Sequence, residues 1–131
     1  MKSILLDTNA YTRFCAGDQD VCTLLGAAET VLFSVVVLGE VLAGFRLGTR
    51  QKENRRALDE FLAKPSVRMA HITSETSEVY AEVFAQLRTA GTPIPLNDIW
   101  IASQALETGA TLVTYDAHFQ RVPGLRTWNG A

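Results

Sequence analysis

Strands alternating with helices along 131 residues predict a single α/β domain, a parallel β-sheet of about four to five strands flanked by helices. Two observations carry this. Short apolar runs that end at a polar residue recur through the chain, as buried strands do. Between them lie longer segments whose apolar residues repeat at helical spacing, closed by Gly or Pro.

Residues 3–7, Ser-Ile-Leu-Leu-Asp, read as the first buried strand. Two short helical pieces follow at 9–16 and 19–29, broken at Gly17-Asp18. Residues 31–34 form a second strand, and Ser34 is placed to cap a helix running to about Gly44. Val35, Val36 and Val37 also suit a continued strand, so that boundary is open. Residues 51–64 are helical, with Ala57, Leu58, Phe61 and Leu62 as an apolar stripe, and Pro65 ends the segment. A third strand is expected at 67–72 and a helix at 75–89, with Gly91 as a C-terminal cap. The stiff loop Thr92-Pro93-Ile94-Pro95 leads into a largely apolar, hence central, helix opening near Asn97-Asp98 and stopped by Gly109. Residues 111–114 form a fourth strand, and a last short strand is expected at 125–127.

Composition bounds the function. Apolar residues make up 47% and charged residues 20%, which is globular usage, and no apolar run approaches a membrane span. The apolar stretch at the start is too short for a signal peptide and ends in an acid, so a cytoplasmic protein is expected. Cys15 and Cys22 match no zinc spacing and read as reduced thiols. A net charge of −2 argues mildly against passive binding to nucleic acid.

In a parallel sheet, ligands bind at the carboxyl ends of the strands. Asp7 ends the first strand and Asp116 closely follows the fourth. Asp98 stands at the mouth of the central helix. Glu40 lies nearly two turns into the helix after the second strand, where Val36, Val37, Val41 and Leu47 suggest a buried face. Each Asp alone reads as a turn residue or helix cap. Glu40 is harder to explain, because a carboxylate within an apolar helix is costly without a partner and the nearest cation in sequence is Arg46. Together, four acids on one edge would repel one another, and a divalent ion removes the conflict. Oxygen ligands suit Mg²⁺ or Mn²⁺, which can activate a water and stabilise charge on a phosphoryl oxygen.

Four motifs surround these acids: Leu5-Leu6-Asp7-Thr8-Asn9, Leu38-Gly39-Glu40-Val41-Leu42-Ala43-Gly44, Asn97-Asp98-Ile99-Trp100-Ile101-Ala102, and Leu112-Val113-Thr114-Tyr115-Asp116-Ala117-His118-Phe119. Their order and spacing resemble those of the PIN-domain ribonucleases, above all the VapC-type toxins of bacterial toxin–antitoxin pairs, across nearly the whole chain. The resemblance implies one PIN-like domain over residues 1–131 and a metal-dependent endoribonuclease. It makes Asp7 and Asp98 the leading metal ligands, with Glu40 and Asp116 completing the site. It gives Thr8, Asn9 and Thr114 supporting roles. It further implies an RNA substrate, a homodimer and a small antitoxin that covers the site.

Arg46, Arg50, Lys52, Arg55 and Arg56 concentrate positive charge between two helices. They read as a solvated face or as a contact for RNA or antitoxin, with Arg46, Arg50 and Arg55 the candidate contacts. His118 is within reach of a phosphate or an acid of the site, although a packing or capping role is the expected one. His71 reads as a structural residue of the third strand, and Trp100 as core. An Mg-dependent phosphotransfer or receiver-like domain is the competing reading, since it uses the same kind of acid cluster. Against it, the position two after Asp7 is Asn9 rather than an acid, and no lysine follows Lys64.

Overall fold

A computed structural model describes residues 2–130. Five strands form one fully parallel sheet: β1 (Ser3–Leu6), β2 (Thr30–Ser34), β3 (Val67–Ala70), β4 (Thr111–Val113) and β5 (Thr127–Trp128). Six helices flank it: α1 (Thr8–Cys15), α2 (Gln19–Ala27), α3 (Val35–Leu47), α4 (Gln51–Leu62), α5 (Ser74–Thr89) and α6 (Leu96–Thr108). The strand order is β3-β2-β1-β4-β5. The chain steps outward from β1 to β3, then returns through α5 and α6 to place β4 on the other side of β1. The switch point therefore lies between β1 and β4, and a crevice at the carboxyl ends of these two strands follows from the topology.

Ile4, Leu5, Leu6, Phe33, Leu112 and Val113 are buried in the sheet's centre. The ambiguous valines belong to α3. Ser34 ends β2 and its Oγ accepts from the Val36 amide at 3.0 Å, which closes the first helical turn before a strand can continue. The helix continues a turn beyond Gly44, to Leu47. Leu47, expected on the buried face, is 91% exposed at the end of α3, while Phe45 in the same turn packs against the core. Gly109 adopts a left-handed conformation, φ +72°, which a glycine supplies without strain, and it stops α6 as expected. A 3₁₀ turn at Ala117–Arg121 was not legible beforehand. The last strand lies slightly later than expected, and Trp128 in it closes the sheet's edge. His71 falls just past β3 and is exposed, not structural. Trp100 is half-buried, stacked on Tyr80 at 4.0 Å between ring centroids.

One buried polar link ties the sheet to α6. Ser34 and Gln104 are fully buried; the Ser34 hydroxyl bonds Gln104 Oε1, and Gln104 Nε2 donates to the Ala70 carbonyl at 2.9 Å. The amide thus bridges the carboxyl ends of β2 and β3. Gln104→Leu leaves the Ala70 carbonyl without its donor and the Ser34 hydroxyl without its acceptor. The expected cost is about 2 kcal/mol or more, read from the midpoint of urea unfolding at unchanged slope.

Candidate active site

Asp7 leaves the end of β1 directly into α1. As the residue before the helix it keeps extended backbone, and its Oδ1 accepts from the Ala10 amide at 2.8 Å. It is a cap, as its position alone suggested, but one only 5% exposed at the switch point of the sheet. Burial pushes its carboxyl up from the ordinary aspartate range; the Thr114 hydroxyl and the Ala10 amide pull it back, and the charges of Asp116 and Glu40 push it further.

Glu40 finds its partner at the start of α1. Thr8 Oγ1 donates to Glu40 Oε1 at 2.7 Å, across 32 residues of sequence. Val37 and Val41 on the same helix are buried, so α3 does turn this side toward the core and carries Glu40 to the rim of the site. A cleft of about 400 Å³ opens beside it, lined by Thr8, Tyr11, Cys15, Phe45 and Ala57 among others.

Asp98 lies in the first turn of α6, whose preceding residue is Pro95, and no side chain caps that helix. Its carboxylate is turned instead toward His118, 2.7 Å away. It is half-buried, and burial raises its pKa first; His118 lowers it, while Glu40 and Asp116 raise it again. Asp116 precedes the 3₁₀ turn without capping it, and its amide donates to Thr114 Oγ1 at 3.0 Å. Thr114 thus braces two of the acids, Asp7 through its side chain and Asp116 through its backbone.

Of the four acids expected from the sequence, Asp7 and Asp98 each have their carboxyl pushed up by the charges of Glu40 and Asp116. Thr8 and Thr114 support them. Asn9 does not enter the cluster: it is exposed on α1, along a shallow cleft with Thr12, Arg13, Tyr115 and Asp116. Arg50 pairs with Glu53, and Arg55 with Asp59 at 3.2 Å; all four are exposed on α4 or at its start. Such pairs add little to stability. Arg46 is exposed in the last turn of α3.

His118 is the residue that sequence reasoning undervalued. Its Nε2 lies 2.7 Å from Asp98 Oδ2 and its Nδ1 2.8 Å from Asp116 Oδ1. It does not act as a cap; it stands between two acids. The spacing Asp116-Ala117-His118 was the one available signal, and what it lacked was the position of α6, which brings Asp98 to the other side of the ring. Ligand atoms of Asp98, Asp116 and His118 all lie within 4.8 Å of one another. Carboxylates with raised pKa values, crowded at a crevice with no Lys or Arg paired to them, form a donor set that a divalent cation fits.

The PIN domain family model matches residues 4–125. The ribonuclease VapC2 of Rickettsia felis is 32% identical over 126 residues, covering 92% of each chain. The plasmid stability protein StbB of Pseudomonas syringae is 31% identical and covers 96% of each. Among solved structures, VapBC2 of Rickettsia felis bound to a promoter DNA fragment aligns with a TM-score of 0.86 at 27% identity, over 97% of this chain and 98% of that one. DNA-bound VapBC of Salmonella typhimurium aligns over the whole of both chains, with a TM-score of 0.87 at 21% identity, and shares the fold. These matches select the ribonuclease reading over the phosphotransfer one: the chain belongs to the PIN-domain family, among its VapC-type ribonucleases.

Proposed function

We propose that this chain cleaves RNA phosphodiester bonds with Mg²⁺ or Mn²⁺ held by Asp7, Glu40, Asp98 and Asp116, as the toxin of a toxin–antitoxin pair. The observation that carries this reading is the convergence of four acids, from four separate segments, at the β1–β4 switch point. Asp7 is held by the Ala10 amide, Glu40 by the Thr8 hydroxyl and Asp98 by α6, so the carboxylates are oriented before any ligand arrives. When bound, a divalent ion there would activate water and neutralise charge developing on a phosphoryl oxygen. The chain's own part is to orient the oxygen donors on short, capped elements. Cleavage of a defined RNA by the purified chain, with and without Mg²⁺ or Mn²⁺, is the direct test.

The partners belong to the same proposal. A toxin–antitoxin complex from Klebsiella pneumoniae shares the fold, which supports a small antitoxin partner. The cleft beside Glu40, with Tyr11, Val41 and Phe45 in its wall, offers such a peptide an apolar seat next to the acids. A homodimer, which the family resemblance implies, belongs to the same proposal, and sedimentation would detect it. Among the described residues no helix is long and apolar enough to cross a membrane, and a cytoplasmic site of action suits a protein that meets RNA.

The basic segment is the place to separate roles. Charge reversal at Arg50 and Arg55 is expected to weaken RNA cleavage or antitoxin binding and to leave the melting temperature nearly unchanged, because both side chains are exposed. If both activities survive the double reversal, the segment is only a solvated face.

A further inference from the structure

The two ring nitrogens of His118 have different surroundings. Nδ1 faces the exposed carboxylate of Asp116 at 2.8 Å. Nε2 is buried, 2.7 Å from Asp98 Oδ2, yet has no partner in hydrogen-bond geometry among the described residues. A neutral imidazole has one N–H and one lone pair. Each ring nitrogen faces one carboxylate, so in the neutral ring whichever nitrogen lacks the N–H has its lone pair against a carboxylate oxygen. Two electron-rich atoms at that separation are unfavourable alone and suited to sharing one cation. The ring is well anchored for this. It sits in the 3₁₀ turn beside Phe119, which is buried and fixes the turn to the core.

We propose that His118 binds the site's divalent cation through Nε2, and that Asp116 positions the ring through Nδ1. Metal-ligating histidines generally donate their other N–H to a carboxylate, which sets tautomer and orientation. The donor set then mixes carboxylate oxygen, with Asp98 beside the ring, and one imidazole nitrogen. Mg²⁺ prefers oxygen, whereas imidazole suits first-row transition ions, so the site favours Mn²⁺ over Mg²⁺. This inference rests on the metal-site reading above and changes the part played by Asp116 within it, from ligand to orienting group.

The test is Mn²⁺ binding to the metal-free full chain, followed by electron paramagnetic resonance with pulsed detection of nitrogen coupling. Bound Mn²⁺ is expected to show coupling to ¹⁴N that changes when histidine is labelled with ¹⁵N. The chain has two histidines, and the exposed His71 is controlled by His71→Gln, which should leave the coupling in place. In His118→Gln the coupling should vanish, Mn²⁺ affinity should fall about tenfold or more, and Mg²⁺ should compete better than in the parent. If that variant fails to fold, the labelled wild-type spectrum decides alone. Bound Mn²⁺ without histidine coupling overturns the His118 assignment and leaves the carboxylate site standing. Absence of Mn²⁺ binding overturns both.

Discussion

Asp98→Asn and Asp7→Asn are each expected to reduce metal-dependent RNA cleavage by about a hundredfold or more, while the metal-free chain melts at an unchanged or higher temperature. The two directions come from one cause. Burial and the neighbouring acids raise the pKa of both carboxyls, so each charge is held in the fold at a cost that an amide of the same shape relieves. The metal needs the charge that the fold would be better without. Asp7→Asn also keeps the helix cap, because the Asn carbonyl can accept from the Ala10 amide as the carboxylate does. Asp7→Ala loses that acceptor, and should cost about 1 kcal/mol in addition to its activity. Glu40→Gln and Asp116→Asn are expected to lower cleavage too. Asp116→Asn should do so least, since its carboxylate is the most exposed of the four. Combined substitutions should add little to the single losses, because the acids act as one unit. Cleavage rates and melting curves for the four variants check this, and near wild-type cleavage by both the Asp7 and Asp98 variants would remove the basis of the active-site assignment.

Metal addition should have the largest effect on stability. An ion that binds only the folded chain stabilises it by about 2.7 kcal/mol at a hundredfold excess over its dissociation constant. For a domain of this size the melting temperature should rise by several degrees. The rise should exceed the shift from neutralising a single acid, because the ion offsets repulsion among all of them at once. Asp98→Asn should abolish most of it, whereas charge reversal at Arg55, on the exposed face of α4, should leave it intact. Calorimetry of the wild type with and without millimolar Mn²⁺ is the measurement, and superimposable curves would argue against a preformed site.

Much of this was legible beforehand, for local reasons. Asp7 and Asp116 follow apolar strands, so their places at the sheet edge follow from pattern; Asp98 needed the loop before its helix to fold onto the same edge. Glu40 stood out because an acid among Val-Val-Val-Leu-Gly-Glu-Val-Leu needs a partner, and the Thr8 hydroxyl supplies one. What local pattern misjudged lay at ends and in loops. Leu47 was read as part of the buried face but is the last residue of α3, and its side chain is exposed. His71 followed an apolar run but lies past the last paired residue of β3.

The sequence by itself determined the parallel α/β class and the extent of most elements, because periodicity, caps and breakers act within a few residues, and it offered the four acids as candidates. Only the tertiary structure decided the strand order β3-β2-β1-β4-β5, and with it which residues meet. Gln104 drew no reading from the sequence; its role appears only where α6 packs over the ends of β2 and β3 and burial leaves Ser34 and the Ala70 carbonyl dependent on its amide. His118 was expected to pack or cap until the same helix set Asp98 against its ring, 20 residues away in sequence and 2.7 Å in space. Contacts of this kind come from closing the chain on itself at the β1–β4 crossover, and no property of the neighbouring residues encodes them.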